Sequence, residues 1–295
     1  MRGLFAAPAP SLCHCGGVAR ASSLPVLMPG HPCDATMSGY QTQIHELTFG
    51  QQTYVIRALA DKQQYADPDQ AAADAGISSA QWSLFGQVWP AGQLLAEAMA
   101  TRPIEGRRIL ELGCGLGLAS LVLRRRGADV VASDHHPLAE VFLAYNAALN
   151  GLDAVPYRRL DWDTGAPTMG QFDMIIASDV LYETRHATML AKLIPALAKP
   201  ACEIVISDPG RGNATALSRM LAEIGFSLIA GERQAPAQAA KAPRLFVYRR
   251  NMDASPPAQG GQAAHESGNA HEFSSEEARE AGKKGGQVSG GGNNR

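Results

Sequence analysis

No apolar run in this 295-residue chain approaches the roughly 18 residues that a helix needs to cross a bilayer, so no membrane-embedded protein is expected. A surplus of basic charge is also missing. The 26 Lys and Arg stand against 28 Asp and Glu, giving a formal net charge of −2, without the broad positive surface of a nucleic-acid binder. Cysteine is sparse. Cys13, Cys15, Cys33, Cys114 and Cys202 are odd in number and irregularly spaced, which argues against a disulfide framework and fits a reducing cytoplasm. Cys13-His14-Cys15 sets ligands one residue apart with no second pair at zinc-site spacing, so no metal is expected. What the chain does have is 45% hydrophobic residues, enough for one sizeable core.

The two ends differ from the middle. Residues 1–36 are poor in charge and rich in Pro, Ala and Gly. Arg2 with Leu4-Phe5-Ala6-Ala7 imitates a signal peptide, but Pro8 and Pro10 interrupt it too early. Met37 opens ordinary globular sequence, so residues 1–36 read as a disordered extension or as the product of a start codon placed too early. Residues 251–295 hold one aromatic, Phe273, and hardly any large aliphatics, too little to offset the entropy of ordering. Their Lys283-Lys284-Gly285-Gly286 resembles the bacterial stress-induced Lys-Gly-Gly repeat proteins; the first copy, around Gly260-Gly261-Gln262, has Gln259 where Lys would stand. A single domain over 37–250 is expected between these ends.

Within it, residues 44–57 alternate around Gly50-Gln51 as a β-hairpin does. Residues 63–80 read as short helix or loop, and 93–100 as helix. From residue 107 strands and helices alternate. Strands are expected at 109–112, 129–132, 155–160, 172–177, 203–207, 226–230 and 245–248, and helices at 118–126, 138–150, 185–198 and 214–224. Gly151 caps the second of these helices. Such alternation implies an α/β fold with a mostly parallel sheet covered by helices on both faces. Arg124-Arg125-Arg126 reads as a solvated helix end that offsets the macrodipole.

The chemistry concentrates at Glu111-Leu112-Gly113-Cys114-Gly115-Leu116-Gly117, where a strand runs through a glycine turn into a helix. Glycine is needed where backbone turns tightly and approaches a ligand, so a side chain at Gly115 is expected to fill ligand space. Asp134 ends the next strand, where an acid can accept hydrogen bonds from ribose hydroxyls. A dinucleotide fingerprint would want Gly at 118, and the residue is Leu118. Glu111 is unhelpful beside a pyrophosphate but suits a ligand with an ammonium and a sulfonium. His135 and His136 follow Asp134; adjacent histidines without a third ligand point to a surface or ligand-rim role.

This loop resembles motif I of the class I S-adenosylmethionine-dependent methyltransferases. That resemblance implies a Rossmann-like fold with a seven-stranded sheet and S-adenosylmethionine as cofactor, held by Glu111, Gly113, Gly115, Gly117 and Asp134. Trp89-Pro90, Leu160-Asp161-Trp162 and Ser178-Asp179-Val180-Leu181-Tyr182 follow in the order seen in the seven-β-strand protein lysine methyltransferases with an Asp-x-x-Tyr motif. Asp208-Pro209-Gly210-Arg211 is similar to members acting on the β-subunit of electron-transfer flavoprotein. The resemblance covers about residues 80–250. It implies that Asp161 bonds the adenine amino group, that Trp162 flanks the adenine, and that Trp89 and Ser178 line the cofactor pocket. Asp161 capping a turn, and Trp162 or Trp89 filling core, remain open. Asp179 and Tyr182 then hold the acceptor amine at the end of a parallel strand; an N-cap and a core aromatic before the helix at 185–198 remain open for the pair. The expected activity is methyl transfer to a protein lysine by a cytoplasmic monomer without nucleic-acid or membrane partners. A small, nicotinamide-like amine as acceptor, or a non-catalytic cofactor-binding module, stands as the alternative.

Overall fold

The computed structural model describes residues 39–251, except 166–167, 211 and 233–241. Cys13-His14-Cys15, residues 1–36, Arg211 and the tail beyond Asn251 lie outside the described residues.

The chain opens with an antiparallel hairpin of β1 (Thr42–Phe49) and β2 (Gln52–Leu59), turning at Gly50 with φ 59°. Two short helices, α1 (Ala71–Asp74) and α2 (Ser79–Trp82), and a tight turn at Ser83–Gly86 lead into α3 (Pro90–Thr101). Seven strands follow: β3 (Arg108–Leu112), β4 (Asp129–Asp134), β5 (Tyr157–Arg159), β6 (Phe172–Ser178), β7 (Ala198–Asp208), β8 (Ser227–Glu232) and β9 (Arg244–Arg250). They form one sheet in the order β5-β4-β3-β6-β7-β9-β8. Only β9 is reversed, pairing antiparallel with both β7 and β8. The helices between them are α4 (Leu118–Arg125), α5 (Ala139–Leu149), α6 (Thr184–Leu197) and α7 (Asn213–Glu223).

Successive strand residues point to opposite faces, and both faces are buried. Ile109, Val130, Met174 and Ile176 join α3, α4 and α5 through Leu95, Met99, Leu121 and Phe142. Leu110, Val131, Ile175 and Ile204 join α6 and α7 through Leu190, Leu193, Leu217 and Leu221. This two-sided burial is why the strands read as unbroken apolar runs. Strand order reverses at β3, with β4 on one side and β6 on the other. Open α/β sheets place their ligands at that switch point, beyond the carboxyl ends of the strands.

Asparagines fix the N-terminal part. Asn146 on α5 and Asn150 at its C-cap lie four apart, on one side. Their side-chain oxygens accept the Arg57 and Val55 amides at 2.8 and 2.9 Å, so the outer edge of β2 is satisfied by side chains. The arginines at the end of α4 differ from the solvated terminus expected. Arg125 donates to the Thr53 and Asn150 carbonyls, and Arg126 to those of Met99 and Arg102, tying hairpin and α3 to the sheet.

Among the elements whose extent differs from the sequence reading, β5 and β7 have a physical reason. β5 is three residues long, its Arg158 and Arg159 exposed at the sheet edge, where apolar pattern says little. β7 starts at Ala198, not 203. The chain leaves α6 directly into extended backbone, with Ala198 opposite Phe172 and a register shift before Glu203 meets Met174.

Candidate active site

Gly113, Gly115 and Gly117 carry φ of 65°, 52° and 78°, a left-handed run that only glycine adopts cheaply. A Cβ at Gly113 would come within 2.9 Å of Val180 Cγ1 and 3.5 Å of the Trp162 ring. At Gly115 it would lie 2.6 Å from the Phe85 carbonyl oxygen. The expected crowding at Gly115 is therefore against the Ser83–Gly86 turn, not ligand space alone.

Asp134 anchors this loop. Its Oδ2 accepts the Gly115 amide at 2.8 Å and its Oδ1 the His136 amide at 2.9 Å. Each carboxylate oxygen retains a further lone pair for a ligand hydroxyl. Glu111 is buried, and its Oε2 accepts the Ser120 amide at 3.0 Å and the Ser120 hydroxyl, bracing the first turn of α4. Burial pushes its carboxyl up to about 7; the Ser120 hydrogen bonds oppose the rise and the nearby Asp134 charge adds to it. The bracing is a role the sequence reading did not include. Cys114 sits in the same loop, buried, with its thiol pushed far above the usual range by desolvation, so it is no nucleophile.

These residues floor a cleft of about 360 Å³ at the carboxyl ends of β3, β4 and β6, within the size range of ligand pockets. Every residue expected at the site except Gly117 lines it: Trp89, Glu111, Gly113, Gly115, Asp134, Asp161, Trp162, Ser178, Asp179 and Tyr182. Gly117 stands just behind, with Leu143 where a Cβ would go. Asp161 does cap a turn, Oδ1 accepting the Asp163 amide at 2.9 Å, while still bordering the cleft. Trp89 donates its indole N–H to the Leu84 carbonyl at 2.8 Å.

One wall comes from the N-terminal segment, with Ile77, Gln81, Leu84, Phe85 and Gln87. Phe85 stacks on His136, ring centroids 3.8 Å apart and planes at 16°. His136 is thus no surface histidine. It is 3% exposed, and burial depresses its pKa to about 3, so it stays neutral.

The facing wall is the turn after β6. Asp179 takes a left-handed φ of 54°, rare for a residue with a side chain, and its amide donates to the Ser207 carbonyl at 2.9 Å. Tyr182 sits at the rim, 41% exposed, its ring edge-on to His186 at 4.5 Å. Burial, with the Asp134 and Glu183 charges adding, pushes its phenol up to about 12. His186 is buried between Tyr182 and Trp162, with Nδ1 2.9 Å from the Val180 carbonyl. Sequence reasoning missed His186, Gln81 and Phe85. The one available signal was a histidine four residues after Tyr182, in the first turn of the next helix.

Residues 77–217 match the family model described as lysine methyltransferase, and residues 269–290 match a stress-induced bacterial acidophilic repeat motif. The chain is similar to the electron transfer flavoprotein beta subunit lysine methyltransferase of Danio rerio, 34% identical over 136 residues, 45% of this chain and 51% of that protein. It is also similar to the calmodulin-lysine N-methyltransferase of Arabidopsis thaliana, 31% identical over 148 residues, 46% of this chain and 48% of that protein. The chain spans about half the length of the curated relatives it matches. Its fold is shared with a T. thermophilus 16S rRNA methyltransferase, at a TM-score of 0.50 and 19% identity, over 71% of this chain and 50% of that one. The fold is therefore the Rossmann-like one of the class I methyltransferases, and the stretch that carries both the glycine loop and the turn from Asp179 to Tyr182, residues 77–217, matches the lysine methyltransferase family.

Proposed function

We propose that this chain transfers the methyl group of S-adenosylmethionine to the side-chain amine of a protein lysine. The observation that carries this reading is the grading of one cleft wall. Tyr182 is exposed at the rim, Ser178 and Asp179 are half-buried behind it, and Trp162 lies over Gly113. A lysine brings its amine on a long apolar stem from outside, which suits such a wall. The family match and the lysine methyltransferases among the relatives support the same reading.

The residues present fit the cofactor. The glycine cradle has no room for side chains, and the carboxylates of Glu111, Asp134 and Asp161 border a cleft that would take a cation with a ribose and an adenine. Glu111, Gly113, Gly115, Gly117 and Asp134 would hold its methionyl and ribose parts, Asp161 and Trp162 its adenine, and Trp89 and Ser178 would line the remainder. When bound, the cofactor supplies a methyl group made electrophilic by the adjoining sulfonium.

The acceptor must arrive neutral. A lysine amine has a pKa of about 10.4, so its proton passes to water before attack. Asp179 then orients the amine by accepting its hydrogen bonds, and Tyr182 positions it. The Tyr182 phenol, raised to about 12, keeps its proton at neutral pH, so it is a hydrogen-bonding group and not the base. Asp179 and Tyr182 would hold the amine nitrogen toward the methyl group of a bound cofactor, whose sulfur would leave as a neutral thioether, and the wall from 77 to 87 would help exclude water. That same wall favours a second reading, a small amine as acceptor, because Leu84, Phe85 and Gln87 partly enclose the cleft.

We take residues 37–250 as the catalytic unit, acting as a monomer in the cytoplasm without a nucleic-acid partner. The unpaired, buried Cys114 and Cys202 support a reducing compartment, and the net charge of −2 supports the lack of a nucleic-acid partner. Among the described residues no helix is long and apolar enough to cross a membrane. The test is calorimetric titration with S-adenosylmethionine and with NAD, followed by incubation of a cell extract with tritium-labelled cofactor. Binding of the first ligand only, and label in precipitated protein, are expected. Label confined to small molecules would favour the second reading, and binding of NAD alone would overturn both.

A further inference from the structure

The two walls of the cleft belong to distant parts of the chain, and one hydrogen bond reaches across. Gln81 Nε2 donates to Glu183 Oε1 at 2.5 Å, joining α2 to the residue after Tyr182. Both partners are held for it. The Ser78 amide and hydroxyl donate to Gln81 Oε1 at 3.1 and 2.8 Å, which turns the amide nitrogen of Gln81 toward Glu183. Arg185 Nε donates to Glu183 Oε2 at 2.7 Å, leaving Oε1 for Gln81. Arg185 also faces Asp163 at 3.8 Å, in the loop that follows β5. A polar strap thus runs from Ser78 through Gln81, Glu183 and Arg185 to Asp163, and Gln81, Glu183, Arg185 and Asp163 all border the cleft.

The links differ in kind. Ser78–Gln81 and Glu183–Arg185 are local, three and two residues apart, whereas Gln81 and Glu183 are 102 residues apart. Opening the cleft between its walls breaks the long-range link first. The Phe85–His136 stack and the buried Trp82, the residue after Gln81, anchor this wall to the core.

Resting on the cofactor reading above, we propose that the Gln81–Glu183 hydrogen bond is a latch across the cleft that sets how fast the cofactor product leaves. Glu183 acts here as a positioning residue: it closes the wall beside Tyr182 and takes no part in bond making.

The test uses the full chain and S-adenosylhomocysteine as probe. Trp89 and Trp162 border the cleft, so stopped-flow tryptophan fluorescence reads release of the probe. Gln81→Glu sets two carboxylates face to face with no donor between them. Release should quicken by about tenfold or more, the scale of one lost charge-assisted hydrogen bond. The exchange Gln81→Glu/Glu183→Gln restores the bond between the two walls with donor and acceptor swapped. Glu at 81 still accepts from Ser78, and Gln at 183 donates to it while accepting from Arg185. Release from the exchanged protein should return to within about threefold of wild type. Melting temperatures of all three proteins identify any variant that fails to fold; were Gln81→Glu to do so, Gln81→Ala replaces it with the same expectation. An unchanged release rate in the single variant, or equally fast release from the exchanged protein, overturns the latch while leaving the cofactor reading intact. Failure of the wild-type chain to bind the probe overturns the cofactor reading, and the latch falls with it.

Discussion

The backbone amide of Gly115 donates to Asp134 Oδ2 at 2.8 Å, so the acid at the end of β4 fixes the glycine loop at the end of β3. Its other oxygen fixes the turn at His136. Asp134→Asn keeps the size but turns an acceptor into a donor facing one of these amides. Affinity for S-adenosylmethionine should fall on the order of a hundredfold, as two interactions with a charged group weaken together. Calorimetry measures this, and affinity within threefold of wild type would contradict it.

Gly115 and Gly151 make a controlled pair. Both are left-handed, at φ 52° and 63°, yet a Cβ at Gly151 meets nothing within 4 Å while one at Gly115 meets the Phe85 carbonyl at 2.6 Å. Gly151→Ala should cost about 1 kcal/mol, the backbone penalty alone. Gly115→Ala should cost clearly more and weaken cofactor binding, because the Ser83–Gly86 turn must move. Urea denaturation of the two variants gives the comparison; equal losses would show that Phe85 yields freely.

Glu111 links stability to pH. Its folded-state pKa, about 7, lies above the ordinary carboxylate value, so the folded chain binds this proton more tightly than the unfolded chain does. The stabilisation is fully present below about pH 4.3 and is lost as pH rises through about 7. Glu111→Gln removes this dependence. The difference in unfolding free energy between wild type and variant should shift in the variant's favour between pH 5 and 8 (roughly the window of the shift). A constant difference would mean that the carboxyl titrates normally.

The acceptor wall makes a separable prediction. Asp179→Ala should keep cofactor affinity within a few-fold but slow methyl transfer on the order of a hundredfold, the scale of a lost positioning contact. Tyr182→Phe tells hydroxyl from ring: near-normal turnover assigns its role to packing, for instance against His186. Parallel loss of affinity and turnover in Asp179→Ala would move that residue to the cofactor site.

The glycine loop was legible because left-handed backbone admits few residues besides glycine, and the strands because burial on both faces leaves no polar alternation. The hairpin was legible from Gly50-Gln51 between alternating residues. What escaped depends on distance or on edges. β5 is short because it is an edge strand, half exposed. The start of β7 was hidden because Lys199-Pro200 reads as a helix stop and not as the opening of a strand. Gln81 meets Glu183 across 102 residues, and Phe85 meets His136 across a stretch whose periodicity says nothing of that pairing. His136 does line the cleft, but its burial was hidden because nothing local announces that a distant phenylalanine stacks on it. The turn capped by Asp161 was among the readings left open, but the bracing of Ser120 by Glu111 was not, because such a bond leaves no mark on motif spacing.

The most direct test of the central claim is amino-acid analysis of protein labelled by this chain with S-adenosyl-[methyl-³H]methionine. The tritium should elute as N-methylated lysine, and Asp179→Ala should remove most of it. Tritium recovered in any other amino acid, or no label in protein from a chain that binds the cofactor, would contradict that claim.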